Sequence, residues 1–278
     1  MSESDAFETE VTQAAAAAGM RSRVFALART DSAAAIVLAE SIEMPWYRCQ
    51  AFAAVARFAP DVDVETVAGR SLAAAADCGD DYLRAAVAAW PIRALLERDR
   101  VAAARAALGI ARERAKTAWP ASSRAEALIL LMRAALAIDA ETRESFVEEI
   151  AALHGTDGFW RVGRALVDAI GLLALTDPSR PAIGPQPKVF ALRAKTDIAG
   201  RDGTVLAGAS RAARDTDSKR QLPRNESDKL LQPARNRGTT GPSRAAEFAA
   251  AIPDPRCRAK ALARVAAPPR SFGPPSFE

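Results

Sequence analysis

Side chains that could carry out covalent or acid–base chemistry are few and scattered along this chain. His154 is the single histidine, so any Ser/His or Cys/His mechanism would have to use it as the base. It lies in His154-Gly155-Thr156-Asp157, which predicts an exposed turn. Cys49, Cys78 and Cys257 are far apart and form no Cys-x-x-Cys, so neither a zinc site nor a disulfide framework is indicated. We expect each cysteine to be a small buried apolar residue.

The acidic pairs and glycine motifs also predict no catalytic site. Asp80-Asp81 is typical of the start of a helix, where carboxylates cap backbone N–H groups. Glu148-Glu149 indicates a solvated helix face, because adjacent helical residues do not face each other. The chain has no phosphate-binding Gly-x-x-x-x-Gly-Lys-Ser/Thr, no dinucleotide fingerprint and no Gly-x-Ser-x-Gly nucleophile motif. We therefore predict a protein that is not an enzyme, with no catalytic, cofactor-binding or metal-ligating residue and no cofactor.

A repeated pattern is the most informative feature of the chain. The segment from Ile42 to Ala56 returns as Ile252 to Ala266: an apolar residue, a short linker with proline, an arginine, and an Ala-rich amphipathic stretch. Sliding this pattern along the chain finds weaker copies between the two. The arginines that mark the copies are Arg48, Arg84, Arg124, Arg161 and Arg258. Their gaps of 36, 40, 37 and 97 residues include three that are typical of two-helix repeat units.

Each copy is predicted to be a pair of antiparallel helices joined by a tight turn. Asp31 or Ser32 should cap the first helix, and Pro45 should occupy the first position of its partner, where its missing N–H costs nothing. Pro91 should kink or divide a later helix, and an opening helix should break near Gly19. The predicted helices cover about 5–28, 31–42, 45–58, 63–77, 81–97, 99–116, 122–138, 140–153 and 158–175, with a further pair in 244–267.

The marker arginine falls at the fourth position of each second helix, close to the unpaired carbonyls that end the first helix. We predict that it donates to those carbonyls and locks the pair; the alternative is a row of ligand-binding arginines on one face. Aromatic residues precede the marker arginines and either pack between repeats or form an aromatic ladder in a groove. They are Trp46, Tyr82, Phe159 and Trp160.

Composition divides the chain into four parts. Residues 1–177 form the predicted helical-repeat domain of about four hairpins, 178–243 a disordered basic linker, 244–267 an isolated hairpin and 268–278 a disordered tail. The net charge of +4 combines −5 over 1–180, +7 over 181–245 and +2 over 246–278. Two alternatives explain why residues 178–243 separate the last hairpin from the other repeats. They are a linker from which the last hairpin docks back on 140–175 as a cap, or a stretch of the repeat array that paired frameshifts have corrupted.

The pattern Asp-Pro-x-x-Arg-Ala-x-Ala-Leu-x-x-Val-Ala, at Asp254 to Ala266, resembles degenerate TPR-like or HEAT-like two-helix repeats of bacterial proteins. The resemblance covers about 31–175 and 244–267. It implies an all-α fold of the α/α-superhelix type and a concave groove that binds another protein or a peptide. Two alternatives remain open: nucleic-acid association through the basic tract 188–244, and a HEAT-like repeat enzyme acting on nucleic acid.

The amino-terminal residues and the longest apolar run indicate where in the cell the protein is expected. The first ten residues are acidic and lack the basic and apolar regions of a signal peptide. The most apolar later stretch, 165–175, is about half the roughly 20 residues that a membrane span requires. With no disulfide framework, we expect a cytoplasmic protein with no membrane partner.

Overall fold

The computed structural model describes residues 3–154, 159–176 and 243–267 of the chain, with side chains from residue 11 onward and excluding that of residue 159. Within these ranges every regular element is an α-helix, which confirms the all-α prediction. The helices are α1 (Glu3–Leu27), α2 (Ser32–Glu40), α3 (Pro45–Phe58), α4 (Val64–Ala76), α5 (Asp81–Val87), α6 (Ala89–Glu97), α7 (Val101–Thr117), α8 (Ala121–Ala134), α9 (Ala140–Ala152), α10 (Phe159–Leu175), α11 (Arg244–Ala251) and α12 (Pro255–Ala266).

Several predicted helix boundaries are confirmed by their capping chemistry. The Asp31 carboxylate accepts the backbone N–H of Ala34 at 2.9 Å and so caps α2. Pro45 occupies the start of α3 as expected. Pro91 does divide the predicted 81–97 helix, because α5 ends at Val87 and α6 begins at Ala89.

Other predictions about local structure were wrong or lie outside the described residues. α1 continues through Gly19, which is exposed; a glycine there costs the helix only about 1 kcal/mol relative to alanine. α8 ends at Ala134, four residues earlier than predicted, because the chain must turn before Asp139 caps α9. The predicted linker, apart from residue 243, and the predicted tail 268–278 lie outside the described residues, as does a short helix predicted around Lys188–Lys195.

The helices pack as successive pairs. The first helices of the pairs are α2, α4, α7, α9 and α11, and the second helices are α3, α5 with α6, α8, α10 and α12. Each second helix packs on the next one along the chain: α3 on α6, α5 on α8, α8 on α10 and α10 on α12. From the second pair onward, each first helix also contacts the second helix of the pair before it, and α1 packs against α2 and α3. The core therefore runs between neighbouring pairs and is lined largely by alanine.

The last pair packs on α10 and α9. A Cβ added to Gly163 of α10 would lie 2.9 Å from the Cys257 sulfur, so only glycine allows this approach of α12. Arg264 of α12 covers Gly171 in the same way, where a Cβ would lie 2.8 Å from the arginine Cγ. Arg244 of α11 pairs with Glu144 of α9 at 3.1 Å. These contacts place the hairpin of 244–266 in the same compact unit as the described residues of 3–176.

Arginine–carboxylate pairs join successive helix pairs in chain order. Among the first helices and their capping residues the pairs are Glu40–Arg70, Glu65–Arg100 at 3.8 Å, Arg105–Asp139 at 2.7 Å, Arg112–Glu149 and Glu144–Arg244 at 3.1 Å. Among the second helices they are Arg57–Glu97, Arg133–Asp168 at 3.8 Å and Asp168–Arg264 at 3.5 Å. Each of these ion pairs links one helix pair to the next, so charge as well as apolar packing joins neighbouring units.

Candidate functional site

The marker arginines perform the locking role predicted for them at three positions. In each case the guanidinium donates to the carbonyl six residues earlier, at the end of the preceding first helix, and half-buries its stem against the turn. The hydrogen bonds are Arg48 Nη1 to Ile42 O at 3.4 Å, Arg84 Nε to Cys78 O at 2.8 Å and Arg124 Nε to Ala118 O at 3.3 Å. These three residues therefore satisfy backbone carbonyls instead of lining a ligand row.

The other two marker arginines differ. Arg258 makes no such bond to Ile252, although both residues belong to the described part of the chain. For Arg161 the corresponding carbonyl, of residue 155, lies outside the described residues; its guanidinium carbon lies 5.3 Å from the centroid of the Trp160 ring. Arg161 is exposed, so its guanidinium faces solvent as well as the indole.

The aromatic residues before the marker arginines divide into two groups. Trp46 and Tyr82 are half-buried and pack against the apolar core, as the packing interpretation predicts. Trp160, at the start of α10, is 58% exposed and is not among the described residues that pack against the core. The side chain of Phe159 lies outside the described residues.

A second exposed tryptophan was missed in the sequence. Trp119 lies in the turn between α7 and α8 and is 62% exposed, and the peptide bond that joins it to Pro120 is cis. Its position outside the apolar pattern of both helices was the signal that could have identified it. Trp119 and Trp160 both lie at the starts of second helices, α8 and α10, which pack side by side.

Two arginines give the Trp160 region its charge. The guanidinium carbons of Arg161 and Arg164 lie 5.3 and 5.6 Å from the Trp160 ring centroid, within cation–π range. Both arginines are exposed. We call Trp119, Trp160, Arg161 and Arg164 together the Trp–Arg edge. It offers flat apolar surface next to N–H donors that face solvent, which is the chemistry of a binding surface.

The cysteines are poor nucleophiles. Burial raises the pKa of Cys49 to about 12 and that of Cys78 to about 11, so both remain neutral thiols at neutral pH. Cys257 is only half-buried, which departs from the expectation, and burial raises the pKa of its thiol as well. His154 is half-buried instead of exposed, because it lies beside the contact between Gly163 and α12.

The carboxylate pairs have structural roles, with one correction. Asp80 caps α5 by accepting the Leu83 N–H at 2.7 Å, as predicted. Asp81 accepts the Thr117 hydroxyl at 2.7 Å, and this hydrogen bond is the main cause that lowers its pKa. The solvated-face prediction was wrong for Glu149, which is half-buried and pairs with Arg112 of α7.

The described residues contain neither a metal-binding cluster nor a membrane-spanning helix. No three His, Cys, Asp or Glu side chains there are grouped so as to hold a metal ion. No described helix combines the length and apolarity needed to cross a bilayer. The basic tract 188–244 lies outside the described residues apart from its last two positions, and Arg244 there pairs with Glu144 and Glu247.

Comparison of the chain with protein-family models, with curated proteins and with solved structures gives no match in any of the three.

Proposed function

We propose that this chain is a non-catalytic helical-repeat scaffold of the α/α-superhelix type, and that it binds a protein or peptide at the Trp–Arg edge. The observation that carries the proposal is the exposure of Trp160 beside the Arg161 and Arg164 guanidiniums, with Trp119 exposed ahead of the neighbouring second helix α8. Tryptophan and arginine are the residues most enriched among those that dominate binding energy at protein interfaces.

The superhelical arrangement is supported by the contacts between helix pairs. Second helices contact the second helices next to them, and first helices are joined in chain order by arginine–carboxylate pairs. An array in which each pair contacts only its neighbours grows in one direction and presents a long surface. The turns that begin the second helices then lie along one edge of that surface, where successive turns can hold an extended segment.

The chemistry of the edge limits the segment that fits it. An indole face accepts proline rings, aliphatic side chains and aromatic rings, while its N–H donates a hydrogen bond. A guanidinium forms paired hydrogen bonds with a carboxylate. Arg161 and Arg164 follow each other by three residues on α10, so both reach the same side of the helix as Trp160. We therefore expect a segment that combines an apolar or aromatic side chain with one or more carboxylates.

The non-catalytic part of the proposal is supported by the state of the thiols. The thiolate is the reactive form of cysteine, and the raised pKa values of Cys49 and Cys78 keep both protonated. Their sulfurs contact backbone carbonyls inside the fold: Cys49 that of Val87 at 3.6 Å and Cys78 that of Ala74 at 3.8 Å.

A peptide selection tests the proposal. Random peptides displayed on phage are selected on the immobilised full chain, and each enriched peptide is labelled and titrated by fluorescence anisotropy. We expect Trp160→Ala to weaken binding about 30-fold, the loss of a typical interface hot spot of about 2 kcal/mol. Val37→Ala is the matched control, because Val37 is an equally exposed apolar residue in the middle of α2. The proposal is refuted if no peptide is enriched, or if all enriched peptides bind Trp119→Ala and Trp160→Ala as tightly as the natural chain.

A further inference from the structure

Three aromatic rings form a cluster where α1, α3 and α6 meet. The centroid of the Phe25 ring lies 6.0 Å from that of the Phe58 ring, with an angle of 57° between the ring planes. It also lies 6.0 Å from the centroid of the Trp90 ring, and these two rings meet edge to face at 89°. All three residues are half-buried. Tilted and edge-to-face pairs are the arrangements that aromatic rings prefer, so the cluster presents a defined, partly exposed aromatic surface.

Two guanidiniums lie over one ring of this cluster. The guanidinium carbons of Arg29 and Arg57 are 4.1 and 4.7 Å from the centroid of the Phe58 ring, within cation–π range. Burial lowers the pKa of Arg57 most, and the positive charges of Arg93 and Arg29 lower it further. The guanidiniums are therefore close enough to repel one another, and negative charge beside them is favoured.

The two guanidiniums over Phe58 differ in how their charge is compensated. Arg57 is largely buried and donates to the Glu97 carboxylate, which also accepts from Arg93. Arg29 is exposed, and its Nη1 donates to the carbonyl of Phe25 at 3.1 Å. Within the part of the chain that the structure describes, no carboxylate pairs with Arg29. Because a guanidinium carries several N–H donors, the bond to Phe25 holds Arg29 in place and leaves donors for a ligand.

This arrangement selects a ligand by its chemistry, and it is separate from the Trp–Arg edge. α1, α3 and α6 carry it, whereas the Trp–Arg edge lies at the starts of α8 and α10. The planar N–H groups of a guanidinium match two oxygens of a carboxylate or a phosphate. A ring attached to that oxyanion can pack against the exposed parts of the aromatic cluster.

We propose that Arg29 and the Phe25, Phe58 and Trp90 rings form a binding site for an oxyanion that is attached to an aromatic ring. Arg29 donates hydrogen bonds to the oxygens, Arg57 adds positive charge, and the ring of the ligand packs on the aromatic cluster. An aryl phosphate and an aryl carboxylate share this chemistry.

Fluorine NMR with three small probes tests the site. Para-fluorophenyl phosphate and para-fluorophenylacetate carry both the oxyanion and the ring, whereas para-fluorobenzyl alcohol carries the ring alone. Each probe is titrated with the full-length chain bearing Trp160→Ala, which removes the ring of the Trp–Arg edge. We expect one or both anions to bind saturably and about tenfold or more tighter than the alcohol, and to bind more weakly at high salt. A preference between the two anions identifies whether the natural ligand carries a phosphoryl or a carboxyl group.

Substitutions at Arg29 locate the binding. Arg29→Gln, made in the same Trp160→Ala chain, should weaken binding of the anionic probes about tenfold or more, because it removes a charge-assisted hydrogen bond. Arg29→Lys keeps the charge but not the planar set of donors, so its affinity should lie between those of Arg29→Gln and the parent chain. Arg23→Gln is the matched control, since Arg23 is another exposed arginine of α1, and it should leave the affinity unchanged.

Three results would overturn the proposal. Neither anion might bind saturably at low salt, the neutral alcohol might bind as tightly as the anions, or Arg29→Gln and Arg23→Gln might bind the anionic probes equally. Far-ultraviolet circular dichroism verifies that each variant remains folded, as expected for substitutions at exposed positions. These titrations are independent of the peptide selection, which tests the Trp–Arg edge.

Discussion

Glu97 offers the sharpest test of how neighbouring helix pairs are joined. It lies at the end of α6 and accepts hydrogen bonds from Arg57 Nη2 at 2.9 Å and from Arg93 Nε at 2.8 Å, with a further contact from Arg57 Nε. The side chains of Arg57 and Glu97 are only 15% and 14% exposed. Burial and the neighbouring Arg93 both lower the pKa of Arg57, so the guanidinium depends on Glu97 for compensation.

Glu97→Ala should destabilise the fold by about 3 kcal/mol, because it removes the counter-charge of the buried Arg57 guanidinium, and breaking a buried pair costs about 3–5 kcal/mol. The double variant Arg57→Met, Glu97→Met should cost less than the sum of the single changes, with a coupling above about 1 kcal/mol. Urea denaturation followed by circular dichroism measures these losses, provided that the unfolding free energy of each variant falls with urea concentration at the same slope as in the natural chain. Glu113→Ala is the matched control: Glu113 pairs with Lys116 on an exposed surface, and we expect a loss under about 0.5 kcal/mol. Equal losses for Glu97→Ala and Glu113→Ala, or strict additivity in the double variant, would refute the reasoning.

Three further perturbations test other parts of the structure. Arg84→Met removes the guanidinium that donates to the carbonyl ahead of α5, and we expect a loss of about 1–2 kcal/mol in urea denaturation. Arg23→Met, at an exposed position of α1, should have no such effect. Equal losses of stability for the two variants would contradict a stabilising role of the Arg84 hydrogen bond. Burial raises the pKa of Cys49 from 9.0 to about 12, so the folded state keeps a proton that the unfolded state loses above pH 9. Its stabilising contribution is complete below pH 9 and falls by about 1.4 kcal/mol per pH unit from there towards pH 12; Cys49→Ala should show a shallower alkaline loss, and identical pH curves would contradict the assignment. Gly163→Val pushes a side chain into the α12 thiol, which lies 2.9 Å from the Cβ position, so amide exchange should accelerate in α12 and α11 but not in α3; unchanged exchange in α12 would show that this approach does not hold the last pair.

Local features of the fold followed from the sequence because they depend on residues close to one another in the chain. Asp31 capping, Pro45 at a helix start and the division of a helix ahead of Pro91 all depend on backbone groups within four residues. The arginine lock spans only six residues and was predicted for the same reason. A periodic apolar pattern and a helix length of 10–18 residues then predicted antiparallel pairs.

The features that the sequence did not predict depend on the register between helices. The sequence predicts a solvated Glu149, since its partner, Arg112, lies 37 residues earlier and one helix pair away. The predicted helix break near Gly19 is wrong, because a single exposed glycine is too weak a signal to end a helix that packs along its other face. Trp119 was overlooked because it belongs to no periodic stripe, and its exposure depends on how α7 and α8 leave their turn.

The ion pairs between helix pairs solve a problem that the alanine-rich core creates. Flanks lined by alanine are nearly alike from one pair to the next, so apolar packing alone discriminates poorly between the correct neighbour and another pair of the array. The arginine–carboxylate pairs lie at different heights along their helices: Glu40 ends α2, whereas Arg105 lies in the first half of α7 and pairs with the cap of α9. A wrong neighbour would break the more buried pairs Arg57–Glu97 and Arg112–Glu149, and losing one partner of a buried pair costs more than an exposed pair such as Glu40–Arg70 contributes. The more buried ion pairs therefore add specificity between neighbouring units, while alanine allows the close approach that buries them.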